Sequence, residues 1–184
     1  MIENHFQEYI ARINMALTTV NIKNIEVVIN LIIETSNSSG NIWVIGNGGS
    51  SSTSSHFVTD LSRCKNTVSE PIRSVSLCDN SALITAIGND FSFEEIFSKQ
   101  LGNLIRPEDL LIAISASGNS GNIIKAIEFA KAKFVKTVAI TGFNGGVARE
   151  ICDYSVHVST SIGDYGVAED SHSIICHFIS SRLR

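Results

Sequence analysis

The stretch Ile42-Trp43-Val44-Ile45-Gly46-Asn47-Gly48-Gly49-Ser50-Ser51-Ser52-Thr53-Ser54-Ser55 decides the fold. Its first four residues are apolar without alternation, the pattern of a short strand buried on both faces. The glycines that follow break the strand, and the small hydroxyl residues after them open a helix. Three further runs have the same character: Ser74–Leu77, Leu110–Ile114 and Thr137–Ile140. Ser155–Val158 supplies a fifth. Between them lie the periodic stretches Phe93–Leu104 and Ile123–Ala132, and this alternation predicts a five-stranded parallel sheet with helices on both faces. Right-handed crossovers then bring the loops that follow the strands to one edge.

Upstream of the first strand, Phe6, Ile10, Ile13 and Leu17 recur at three- and four-residue steps, as do Ile25, Val28, Ile29, Ile32 and Ile33. Two amphipathic helices follow from this spacing, a hairpin within residues 1–37, with the α/β core over 41–184. The second helix stops at Ser36-Asn37-Ser38-Ser39-Gly40. Ile174, Ile175, Phe178 and Ile179 mark a last helix from Val167 to Leu183. Pro71 and Pro107, the only prolines, fall between elements.

At 184 residues, with 43% hydrophobic and 17% charged residues, the chain suits a single ordinary globular domain. A net charge of −4 with scattered Lys and Arg argues against a nucleic-acid partner. Cys64, Cys78, Cys152 and Cys176 are far apart, which excludes a C-x-x-C zinc or redox motif and reads as free thiols in a reducing compartment. The first residues lack a basic region followed by an apolar run, and no apolar run reaches about 18 residues. The expected location is the cytoplasm, with no membrane association.

Two loops carry the functional signal. Gly46–Ser55 and Ser115-Ala116-Ser117-Gly118-Asn119-Ser120-Gly121 each follow a strand and open a helix. Glycines let backbone N–H groups turn toward an anion, a helix N-terminus adds partial positive charge, and hydroxyls donate further hydrogen bonds, so the pair suits one phosphate-bearing ligand. Neither a P-loop lysine nor G-x-G-x-x-G is present, so a nucleotide is not implied. On the helix after the first loop His56 and Asp60 share a face, and on the last helix so do Glu169 and His177. Isomerising an aldose and a ketose needs a base for a carbon-bound proton, an acid for oxygen and stabilisation of the enediolate between them. A carboxylate and a histidine suffice, and a divalent metal such as Zn2+ on His56, Asp60, Glu169 and His177 would add carbonyl polarisation. His172 lies off the line through Glu169 and His177 and reads as structural or surface. His5 and His157 have no polar company in sequence.

The segments Gly46-Asn47-Gly48-Gly49-Ser50, Ala86-Ile87-Gly88-Asn89-Asp90-Phe91, Ser115–Ser120 and Glu169–His177 together resemble the sedoheptulose-7-phosphate (phosphoheptose) isomerases of the sugar-isomerase, or SIS, class. The resemblance covers nearly the whole chain. It implies a single SIS domain over 1–184, an SIS-type three-layer α/β/α sandwich, and a homotetramer with sites between subunits. It also implies interconversion of sedoheptulose 7-phosphate and D-glycero-D-manno-heptose 7-phosphate, supplying heptose for lipopolysaccharide or capsule. Substrate contacts would map to Asn47, Gly48, Gly49, Ser50, Asp60, Asn89, Asp90, Ser115, Ala116, Ser117, Ser120 and Glu169. One zinc per subunit would map to His56, Asp60, Glu169 and His177, with Asp60 and His177 as acid and base. The family usually has Glu at Asp60, Gln at Glu169, Thr at Ala116, Asp at Gly166 and alanines along Ser51–Ser55. The Gln-to-Glu change adds a charged ligand, which could strengthen metal binding or move the base role to Glu169. These departures keep two alternatives open: a catalytically silent phosphosugar- or protein-binding regulator, and an isomerase of another phosphosugar.

Overall fold

A computed structural model describes residues 1–64 and 71–184. In chain order the elements are α1 (Ile2–Thr18), α2 (Ile22–Asn37), β1 (Asn41–Gly46), α3 (Gly49–Leu61), β2 (Arg73–Ser76), α4 (Ser81–Asp90), a 3-10 turn (Phe93–Glu95), α5 (Ser98–Gly102), β3 (Leu110–Ser115), α6 (Gly121–Ala132), β4 (Lys136–Thr141), α7 (Gly146–Ile151), β5 (Tyr154–His157) and α8 (Tyr165–Leu183). The five strands form one parallel sheet in the order β2-β1-β3-β4-β5. The order reverses beside β1, so its C-terminal loop lies at the crevice where open α/β sheets bind ligands.

Strand alternation divides the core in two. Ile42, Val44, Leu110, Ile112, Ile114, Val138 and Ile140 point to one face, where α1, α2, α3 and α8 cover them. Trp43, Ile45, Leu111, Ala113 and Ala139 point to the other, under α4 to α7. Each fully buried Ile or Leu contributes about 1.5–3 kcal/mol. The edge opposite the ligand crevice is fixed by Asp109, 2% exposed. Its carboxylate accepts from the backbone N–H of Asn41 (2.7 Å) and Arg106 (2.8 Å) and from Trp43 Nε1 (2.8 Å). A buried carboxylate so satisfied ties β1 to the turn before β3.

The expected hairpin and last helix are present, and both prolines lie between elements. The helix expected over Phe93–Leu104 is instead a 3-10 turn and the short α5, because this segment packs beneath α6 rather than running as one rod. Helices α4 and α7 lack an apolar stripe long enough to signal them. Asn80 starts α4 by accepting from Leu83 N–H at 3.0 Å. Among the described residues no single helix is long and apolar enough to cross a membrane.

Candidate active site

The loop after β1 is shorter than the sequence suggests. Helix α3 begins at Gly49, so Ser50–Ser55 lie inside it. Three of their hydroxyls bond back into the helix: Thr53 to Gly49 O, Ser54 to Ser50 O and Ser55 to Ser51 O. The open part is Asn47-Gly48, followed by the N–H groups of the first turn of α3. Asn47 does not stand alone. Its amide exchanges two hydrogen bonds with that of Asn122 in the first turn of α6, at 2.8 and 2.9 Å.

The second loop is braced from within. Ser115 Oγ accepts from Gly118 N–H at 3.1 Å and Ser117 Oγ from Asn119 N–H at 3.2 Å. Gly118 has φ +64°, and a side chain there would collide with the Gly145 carbonyl, so glycine is required. Ala116 is buried in an apolar patch with Phe143 and Ala168. Ser120 caps α6 in extended backbone without a side-chain bond. Both loops lie at the C-terminal ends of adjacent strands, β1 and β3. Asn89 and Asp90 end α4, exposed, with the Asn89 amide donating to Asp90 at 2.9 Å.

Helices α3 and α8 pack side by side with the same direction, and the polar residues fall into two groups along them. At the loop end, Glu169 presses its carboxylate against Gly49, where a Cβ would collide with it. Only glycine admits a carboxylate so close to the first turn of α3. Glu169 makes no hydrogen bond or ion pair among the described residues, and burial, then the neighbouring Asp170, raises its pKa above the usual carboxylate range.

Two turns further along, His56 and His177 meet Nε2 to Nε2 at 3.2 Å, and Asp60 Oδ2 lies 3.8 Å from each. The other Asp60 oxygen accepts from Arg184 at 2.7 Å, and Ser180 donates to Oδ2 at 3.3 Å. Asp60 is buried and the two histidines are exposed. The donor atoms of His56, Asp60 and His177 all lie within 4.8 Å of one another, a group able to hold a metal ion. The chemistry fits zinc: two nitrogens about 2.0–2.1 Å from a tetrahedral ion lie about 3.3 Å apart. Glu169 is not in this group. Eight residues of helix separate it from His177, about 12 Å at 1.5 Å per residue.

Sequence reasoning missed Asn122, Ser180 and Arg184. Arg184 follows His177 by seven residues and so shares its helix face, a readable spacing. Asn122 carries no such signal, because an amide in a first helical turn looks like any helix start.

Residues 5–142 match the family model described as SIS domain. A protein of Thermoplasma volcanium named "Probable phosphoheptose isomerase" is 33% identical over 174 residues, covering 95% of this chain and 88% of the relative. The chain belongs to the phosphoheptose isomerase family. Two solved phosphoheptose isomerases share the architecture: that of Neisseria gonorrhoeae at TM-score 0.87 and 28% identity, covering 99% of this chain and 96% of that one, and that of Francisella tularensis at 0.87 and 26%, covering 99% and 95%. Membership accounts for the two loops at one sheet edge and for the hairpin α1–α2 packed on α8, which extend through the whole fold of these isomerases.

Proposed function

We propose that the protein is an isomerase that interconverts sedoheptulose 7-phosphate and D-glycero-D-manno-heptose 7-phosphate in the cytoplasm, supplying heptose for surface polysaccharide, as a single-domain SIS protein. The observation that carries the mechanism is the unpartnered Glu169 carboxylate at the mouth of the two loops, its pKa raised by burial and by Asp170. The N-termini of α3 and α6 hold the substrate, with Ser115, Ser117 and Ser120 nearest the phosphate, Gly48 and Gly49 nearest the reacting carbons beside Glu169, and Asn89 and Asp90 beyond. Glu169 takes the C1 proton of the ketose. The C1–H electrons form the C1–C2 double bond, and the carbonyl oxygen gains a proton from the pair His56–His177. Returning a proton to C2 as the O1 hydroxyl loses its own yields the aldose. With zinc bound, His56, Asp60 and His177 would hold it, and carbonyl polarisation by the ion would take the place of the proton from the histidine pair.

The two groups on α3 and α8 lie about two helical turns apart within one chain, too far for one small substrate. We therefore read the complete site as shared between copies, with Glu169 and the loops from one and His56, Asp60 and His177 from another, in a homotetramer. The surface around His177 supports a subunit contact: Ile174 is 43% exposed, Phe178 44% and Ile22 62%, and with Leu17 and Val20 they line an apolar groove.

The test follows sedoheptulose 7-phosphate by NMR with and without zinc, using wild type, Glu169→Gln, His177→Ala, and the two variants unfolded together and reassembled. Each variant alone should be inactive, and the mixture should regain a fraction of wild-type activity through sites that pair two intact halves. No wild-type turnover in either condition would sink the isomerase reading. Turnover without recovery in mixed assemblies would sink the shared site.

A further inference from the structure

Asn122 is 1% exposed, yet it is polar on both ends of its amide. A buried amide costs stability unless it is paired, and this one is paired with Asn47 on a different loop. The two bonds run in opposite senses, so each amide both donates and accepts, which fixes the rotation of both planes at once.

The rest of each loop is held by other means. The Ser115–Ser120 loop is braced toward α7: Ala148 N–H donates to Gly118 O at 2.8 Å, and Val147 N–H donates to Asn119 Oδ1 at 3.0 Å. The Asn47-Gly48 loop is held on its far side by Cys78, whose thiol donates to Gly46 O at 3.3 Å. Neither set of contacts spans the gap between the loops. The amide pair does, next to the N-termini of α3 and α6.

We propose that Asn122 is a positioning residue for sugar-phosphate binding: it never touches the ligand, but by pairing with Asn47 it sets the distance between the two loops that hold the phosphate and the sugar. Asn47 then acts through the same pair, and its backbone and the N–H groups of Gly48 and Gly49 meet the ligand. This inference rests on the sugar-phosphate reading of the loops. It assigns Asn47 a role different from direct recognition by its side chain.

Removing either partner breaks the same two bonds and strands the other amide, so Asn47→Ala and Asn122→Ala should weaken binding of sedoheptulose 7-phosphate equally. Losing one or two hydrogen bonds to the sugar as the loops part corresponds to a loss of affinity of roughly ten- to hundredfold. The double variant should be no worse than either single one, because no unpaired amide remains. Binding is measured by calorimetry on the folded oligomer with sedoheptulose 7-phosphate and, in a second arm, inorganic phosphate. Affinity for inorganic phosphate should change less than about threefold, since one loop suffices for a lone anion. Asn47 is only half-buried, so its variant covers the case in which Asn122→Ala fails to fold; Asn122→Asp, which keeps the shape and one of the bonds, should lie between wild type and Ala.

A loss for Asn47→Ala with wild-type affinity in Asn122→Ala, or additive losses in the double variant, would overturn the proposal and make Asn47 a direct contact. Equal losses of both probes would also overturn it, indicating general loosening. Wild-type protein that binds neither probe overturns the sugar-phosphate reading itself. In that case non-additive urea stabilities would leave the pair as a structural tie alone.

Discussion

His172 is an ionisable group of α8 buried in the core. It is 0% exposed, and neither ring nitrogen makes a well-formed hydrogen bond among the described residues, the Thr141 backbone giving at most a weak one. Burial pushes its pKa down from 6.5 to about 4, with the Thr141 backbone opposing and His157 adding slightly. The folded chain therefore keeps the imidazole neutral, while the unfolded chain protonates near pH 6.5. Between those values the unfolded state binds the extra proton, so stability falls as pH falls, is fully present above about 6.5 and levels off below about 4. At about 1.4 kcal/mol per unit the loss is about 3 kcal/mol. His157, lowered by burial and Arg149, adds in the same window, whereas Glu169, raised, works in the opposite sense because its folded form keeps a proton longer. Comparison with His172→Leu isolates the single group. Urea midpoints at fixed protein concentration from pH 7.5 to 4.5 should show the wild type losing stability steeply below 6.5 and the variant much less. At pH 7.5 the variant should match or exceed the wild type, since two unpaired ring nitrogens are removed. Parallel curves through pH 6.5–4.5 would refute the reasoning.

Three further outcomes follow. Gly49→Ala places a methyl where Glu169 now sits, so kcat should fall roughly a hundredfold by displacing the base, read by steady-state assay beside an unchanged far-UV spectrum. His56→Ala removes one of three donors, and zinc affinity measured by chelator competition should weaken by more than roughly a hundredfold, while Glu169→Gln leaves it within a fewfold. Arg184→Ala deprives the buried Asp60 of its cation and should cost about 1–2 kcal/mol in urea denaturation, discounted because the guanidinium is half-exposed.

The sheet was legible because each central strand is a short unbroken apolar run, and Leu110–Ile114 admits no other reading in a chain with so few breaks. The hairpin and α8 were legible from their periodic stripes. What the sequence could not carry was anything that depends on which helices touch. The parallel packing of α3 on α8 is a tertiary fact, and it decides that His56 and Asp60 join His177 rather than Glu169. The serines of α3 misled for a related reason: hydroxyls after a glycine loop suggest a cradle, yet once the helix starts at Gly49 their nearest acceptors are its own carbonyls. Asn122 was invisible because its partner lies 75 residues away.

The departures that the resemblance implies are not independent, and structural neighbours give several of them a physical reason. Asp60 is one methylene shorter than glutamate, and Arg184 together with Ser180 closes on it, orienting Oδ2 toward the histidines. At Gly166 a Cβ would lie 3.0 Å from the Tyr9 hydroxyl, and that hydroxyl instead donates to Asp170 at 2.6 Å, with its pKa raised to about 12 chiefly by this bond. Ala116 lies in apolar company, where a threonine hydroxyl would need a partner that Phe143 and Ala168 do not offer. The hydroxyls of Thr53, Ser54 and Ser55 on α3 bond within the helix, and Ser55 also donates to Asp79. Compensation of this kind is what a retained activity requires. It leaves Glu169 as the position whose carboxylate no neighbour among the described residues pairs. An unpaired carboxylate in contact with a helix N-terminus between two glycine loops is the kind of group functional sites use, which supports the base role proposed for it.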